Sequence, residues 1–303
     1  MYNTWIASFA GVLLLLSGAN YASSQPQKQL TASSTLAPIT VRYLATGDLH
    51  SIEIYKYELI HRALELTRAE FGDYKNIPYQ GANASQQRRA NLISEGKILN
   101  LDWASPGTPV AKAEVIPIPI DILNGLLGYR ICLINTNAPL KINDVSGMGS
   151  LTTLKIGQSE LWSDIEIYRN NNINPILGPT FSSLFDMLGF KRFDCLPLGV
   201  NEIILLFNEK KVPYPFLAID TQLLIYYDFP MYFYVSKTQP LLAKRLQLGF
   251  TKMQQSGEFN QLFKQYHPQD LSPLNLRSRK VICLKSPFMD QTKQCMQPLK
   301  YPD

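Results

Sequence analysis

The sequence predicts a two-lobed α/β protein with largely parallel sheets, and three observations carry that prediction. Short β-rich runs alternate with helices of about ten to fifteen residues. Two such series are separated by an extended, proline-bearing stretch near residues 115–130. A long β-rich stretch at 216–235 is placed to carry the chain back.

Each element follows in order. Ile39 to Ala45 reads as a strand, and Tyr55 to Phe71 as a helix with Leu59, Ile60, Ala63, Leu64 and Thr67 on one face. Ile77 to Gln80 is the next strand, Ser85 to Gly96 a polar helix closed by glycine, and Ile98 to Trp103 a second apolar strand. Pro117 and Pro119 make Val115 to Ile120 extended, and Leu126 to Asn135 is a strong strand. The second series runs through a strand at Leu154 to Gln158 and a helix at Trp162 to Asn170. Ser183 and Asp186 have the spacing of a capping box for the following helix. A strand at Phe193 to Leu198 comes next, then a helix at Glu202 to Lys210 with Asn201 as its cap. Phe216 to Tyr227 reads as one long β stretch, and helices at Leu241 to Met253 and Phe259 to Tyr266 end the series.

Composition bounds the function. Hydrophobic residues are 46% and charged residues 17% of the 303, the makeup of a folded globular chain. The 29 basic and 24 acidic side chains leave +5, too small and dispersed for a nucleic-acid footprint, so no nucleic-acid partner is expected. Ile6 to Leu16 is an apolar run followed by small residues, the plan of a signal peptide over 1–22 and hence of a periplasmic protein. Residues 23–38, rich in Ser, Thr, Gln and Pro, read as a flexible linker. An even number of cysteines in an exported chain favours disulfides, and Cys283 with Cys295 encloses a short loop that an oxidising compartment would close. Cys132 and Cys195 lie in apolar strands and read as small buried hydrophobes.

A set of short motifs in a particular order adds a resemblance. Gly96-Lys-Ile-Leu-Asn-Leu-Asp-Trp-Ala-Ser105, Thr108-Pro-Val-Ala-Lys112, Gly128-Tyr-Arg-Ile-Cys-Leu-Ile134, Lys155-Ile-Gly-Gln-Ser-Glu160 with Trp162, Leu188-Gly-Phe-Lys-Arg-Phe-Asp194 and Tyr232-Phe-Tyr-Val-Ser-Lys237 follow one another from Ile39 to Tyr266. Together they resemble the type II periplasmic solute-binding proteins of amino-acid ABC importers. The resemblance implies a periplasmic-binding-protein-like fold, with two crossing strands and a ligand cleft between lobes. Lobe 1 would span 39–126 and 228–270, lobe 2 127–227, and 271–303 would be a C-terminal tail. The chain departs from the family at two positions that matter. Lys112 stands where the family has a bidentate Arg for the ligand carboxylate, and Gly199 where it has an Asp for the ligand amine. The next carboxylate is Glu202.

The expected ligand contacts are Asp102, Trp103, Ser105, Lys112, Ser159, Trp162 and Glu202, all at strand ends. For Trp103 and Trp162 the competing reading is core packing, and for the others a solvated loop. Arg88, Arg89 and Arg192 read as solvated surface charges, and Ser146 to Ser150 as a turn. Three histidines without HExxH spacing, and no Gly-x-Ser-x-Gly elbow, leave little for metal hydrolysis or a Ser/His triad. No catalytic residue, metal or cofactor is expected. The function implied is capture of a small polar solute, amino-acid-like or an organic anion, by a monomer that closes its lobes for a membrane permease. The alternatives are a sensor reporting to a membrane partner and a cleft enzyme of the dehydratase kind.

Overall fold

The computed structural model describes residues 37–45, 51–80, 84–140, 151–267, 270–290 and 295. The expected signal peptide, all of the expected linker but its last two residues, and the turn at 146–150 lie outside the described residues.

In chain order the strands are β1 (Ile39–Ala45), β2 (Tyr74–Gln80), β3 (Leu101–Ala104), β4 (Val115–Ile118), β5 (Tyr129–Asn135), β6 (Gly157–Ser159), β7 (Ile176–Gly178), β8 (Leu196–Gly199), β9 (Leu217–Ile219), β10 (Leu223–Tyr226), β11 (Tyr232–Ser236) and β12 (Lys280–Cys283). The helices are α1 (Ser51–Glu65), α2 (Arg68–Phe71), α3 (Gln86–Glu95), α4 (Ile165–Asn170), α5 (Phe181–Gly189), α6 (Ile203–Lys210), α7 (Pro240–Ser256) and α8 (Glu258–Tyr266).

The first group of strands is stitched from two ladders. β1 lies parallel to β2, and β11 lies antiparallel between β3 and β4. The two ladders meet at Asn100, which is fully buried. Its N–H donates to Arg42 O (2.9 Å), its Oδ1 accepts from Arg42 N (2.7 Å) and its Nδ2 donates to Thr40 O (2.8 Å). One amide side chain thus takes the place of a strand-to-strand ladder at the join. On one side α1 packs Tyr55, Leu59, Ile60, Ala63 and Leu64 against α7, a face with the helical repeat expected from the sequence. On the other, α3 contributes Ala90 and Ile93 to a smaller cluster.

The second sheet has the order β12-β10-β5-β8, with β9 on the far half of β5. β6 lies parallel to β7, and a bridge from Ile156 to Cys195 ties this pair to the strand ahead of β8. The single β stretch expected at 216–227 is broken in two, because the Asp220 carboxylate accepts from Gln222 N (3.0 Å) and Leu223 N (2.7 Å) and turns the chain. Two caps also differ from expectation. The capping box is Thr180 with Ser183, three residues ahead of the pair expected, so α5 starts at Phe181. Glu202, not Asn201, occupies the cap position of α6, and it makes no side-chain cap there.

Cys132 and Cys195 are not isolated hydrophobes: they are joined to each other, with Cα atoms 5.1 Å apart across β5 and the segment entering β8. Each is buried, but in an antiparallel sheet strands distant in sequence become neighbours, which spacing along the chain does not display. Cys283 is bonded to Cys295. The segment after 270, expected as a tail, adds β12 to the edge of the second sheet, parallel to β10.

The chain passes between the two sheets twice, at Gly128–Tyr129 and at Tyr226–Met231. These crossings run so close that a Cβ on Gly128 would stand 2.4 Å from Tyr227 O, while Tyr227 N donates to Gly128 O at 3.2 Å. Only glycine fits there.

Candidate functional site

Between the two sheets lies a cavity of about 390 Å³, within the size range of small-molecule sites. β3 ends at it and supplies Trp103 and Ala104, followed by Ser105; α1 and α3 add Lys56 and Arg89. Leu127, Phe229 and Met231 come from the crossings. From the second sheet come Arg130 of β5, Leu161 to Asp164, and Glu202 ahead of α6.

Arg130 dominates the electrostatics. Its side chain is 6% exposed, yet its nearest carboxylates are long contacts, Asp164 Oδ2 at 3.3 Å and Glu202 Oε1 at 3.6 Å. The guanidinium carbon lies 5.4 Å from the Tyr227 ring centroid and 5.7 Å from that of Phe229, within cation–π range. Its Nε is buried with no hydrogen-bond partner among the described residues. Burial works to lower the Arg130 pKa, but Tyr227, Asp164 and Glu202 outweigh it and hold the group firmly charged. The two carboxylates are themselves engaged. Asp164 Oδ2 accepts from the Tyr227 hydroxyl (2.8 Å) and Glu202 Oε1 from Gly199 N (2.9 Å). The result is a charged donor fork lining a cavity with bonding capacity left over.

The opposite wall is built by Arg89 and Asp102. Arg89 Nε donates to Asp102 Oδ2 (2.9 Å), Arg89 Nη2 donates to Asp102 Oδ1 and also reaches Trp103 O (3.1 Å). Asp102 Oδ1 in turn accepts from Trp103 N (2.8 Å). This bidentate pair holds the backbone at Trp103, and Lys56 Nζ stands 4.9 Å from the centre of the indole.

Of the seven contacts expected from sequence, Trp103, Ser105, Trp162 and Glu202 line this cavity. Asp102 is fully buried behind it, as the partner of Arg89. Ser159 is buried in β6; its carbonyl accepts from Trp162 N (3.0 Å) and its hydroxyl from Leu161 N (3.4 Å), so it shapes the loop that carries both. Lys112 is exposed and lies outside the cavity, because the Thr108 hydroxyl donates to Ser105 O (2.8 Å) and Lys112 N donates to Thr108 O (3.1 Å), winding the segment into a tight turn. Arg89, expected as a solvated charge, is instead the paired group just described. Arg130 and Asp164 were missed. A lone cation inside the otherwise apolar Gly128 to Ile134 run was the available signal, since such a charge is buried only where it has partners.

No protein-family model matches the sequence, and no curated protein matches it. Solved structures do. One is a histidine kinase sensor domain with similarity to periplasmic binding proteins, with a TM-score of 0.50 at 13% identity over 77% of this chain and 96% of that one. Another is an ancestral arginine-binding protein bound to glutamine, with a TM-score of 0.50 at 12% identity over 77% of this chain and 100% of that one. At such identities the likeness speaks for the architecture alone. Two groups of strands, two crossings and an intervening cavity give this chain the two-lobed fold of the type II periplasmic binding proteins.

Proposed function

We propose that the protein is an extracytoplasmic solute-binding protein that captures a small polar solute between its lobes and presents it to a membrane permease for ABC-type import. The observation that carries the reading is Arg130, a buried guanidinium with an unpartnered Nε in a cavity to which both sheets contribute. Residues from both sides on one cavity make the site complete only when the lobes are together, which is how hinge closure couples to occupancy. In this reading Arg130 takes an acceptor oxygen of the solute and Glu202 a donor, while Trp103 and Trp162 cover its apolar surface. Asp102 and Ser159 act by position, the first through Arg89 and the second through the Leu161–Trp162 loop. The signal peptide at 1–22 supplies the compartment.

A second reading, a ligand-gated sensor for a membrane partner, is favoured by the likeness to the kinase sensor domain. It shares the cavity and differs in what closure contacts.

Binding is tested by tryptophan fluorescence and melting temperature against amino acids, organic acids and small peptides. Trp103 and Trp162 both line the cavity, so a bound solute shifts the emission and raises the melting temperature. No saturable change with any compound would overturn the reading. Loss of uptake in a deletion strain favours import, whereas unchanged uptake with a lost transcriptional response favours sensing.

A further inference from the structure

A second cavity, of about 870 Å³, opens beside the first and shares Gln86, Thr108, Leu161, Trp162 and Ser163 with it. Its walls are unusual for a surface recess. Leu161 is 71% and Leu177 37% exposed, and both face a space also lined by Pro109, Pro287 and Phe288. Large apolar groups left open in a concave site signal a ligand surface.

The far wall belongs to the C-terminal segment, and it is firmly held. Lys285 N donates to Asn171 Oδ1 (3.0 Å), and Lys285 O accepts from Asn170 Nδ2 (2.9 Å) and Asn171 Nδ2 (2.8 Å). Phe288 then lies against Gly107 so closely that a Cβ there would stand 2.4 Å from the ring. The segment leaves the second sheet at β12 and reaches a loop that follows β3, walling the outer cavity on the way.

Building on the solute-binding reading, we infer that the ligand is longer than a single amino acid: a short apolar peptide, with its polar head in the inner cavity and its apolar side chains in the outer one. Two features favour a peptide over a plain hydrocarbon tail. Ser85 and Gln87 are bonded within the helix start, to Arg88 N and Asn91 Oδ1, but Gln86 and Ser163 are interspersed among the apolar lining, and an acyl chain would leave their amide and hydroxyl facing hydrocarbon, whereas a peptide main chain offers them donors and acceptors. Charged end groups also have counterparts. Lys112 and Glu160 line the outer cavity without ion-pair partners among the described residues, while Arg169 is already paired with Glu166 at 3.0 Å. Lys112, excluded from the inner cavity, takes the distal carboxylate.

Calorimetry on the purified protein with L-leucine, dileucine, dileucine amide and octanoate tests this. Dileucine is expected to bind about ten-fold or more tighter than leucine, and amidation to remove part of that gain. Phe288→Ala and Leu177→Ser, which line the outer cavity and not the inner one, should abolish the gain and leave leucine binding unchanged, with the fold verified by melting temperature. Leucine and dileucine binding equally, or octanoate binding tighter than dileucine, would overturn the peptide inference while the solute-binding reading stands. No saturable response to any of the four overturns the inference, and silence across the wider solute panel overturns the solute-binding reading as well.

Discussion

Three buried or half-buried side chains show how single residues set local structure. Arg245 of α7 is fully buried without a carboxylate partner among the described residues, and its guanidinium instead donates to Leu64 O (3.0 Å), Gly72 O (2.8 Å), Asp73 O (3.2 Å) and Thr67 Oγ1 (3.2 Å). It gathers the carbonyls where α1 and α2 end, adding a charged donor to Leu64 O and Asp73 O, which also accept from Thr67 N and Ile39 N. Arg245→Met should therefore cost about 2 kcal/mol in denaturant unfolding, since it removes charged donors from the buried Leu64 O and Thr67 Oγ1 and from Gly72 O. His267 stacks on Phe263 with ring centroids 4.5 Å apart and meets Tyr55 edge-on at 4.7 Å. Burial lowers its pKa, which its bond to Phe263 O partly opposes and Lys56 reinforces. The unfolded chain then binds a proton on His267 at a pH where the folded chain does not. Its contribution is complete above about pH 6.5 and is lost as the pH falls toward the folded value. The melting temperature should drop over that window, and His267→Gln should flatten the drop; equal slopes in both proteins would refute the assignment. At the cavity between the lobes, the proposed function predicts that Glu202→Gln weakens solute binding on the order of ten-fold without lowering the melting temperature, measured by titration and thermal melting. None of these partners is visible in the order of residues, because Arg130, Arg245 and Asp102 acquire theirs from segments brought together only by the fold. What sequence does display is the residue type at a strand end, which is why Trp103, Ser105, Trp162 and Glu202 could be placed at the cavity, while the positions of Lys112 outside it and of Asp102 behind it could not.

Elements were most legible where a periodic pattern met a clear stop. β1 occupies the residues expected, α1 buries the face expected of it although the single helix expected over 55–71 is broken before α2, and α7 and α8 lie where helices were expected. Expectation failed where a short side-chain hydrogen bond decided the backbone, at Asp220 between β9 and β10 and at Thr180 before α5. It failed again where pairing is long-range. β12 is a four-residue strand whose only recommendation is its neighbour β10, and Cys132 meets Cys195 across 63 residues of chain. That bridge clamps β5 to the segment entering β8 in the middle of the second sheet. Replacing both cysteines with alanine should lower stability by about 2–4 kcal/mol, the usual effect of opening a loop of that size, measured by chemical denaturation under oxidising conditions. An unchanged midpoint would mean the sheet alone carries the connection.

For the whole molecule, the order of strands in space is not their order in the chain. β11 is the middle strand of the β3-β11-β4 sheet, but it is reached only after the second sheet's β5 to β10 have been laid down. The second sheet in turn waits for β12, which begins at Lys280. Each half therefore waits for a strand laid down after strands of the other, and a chain cut after residue 230, which lacks both β11 and β12, should show no cooperative melting transition. The two halves are thus interleaved along the chain, each closed by a strand that follows strands of the other.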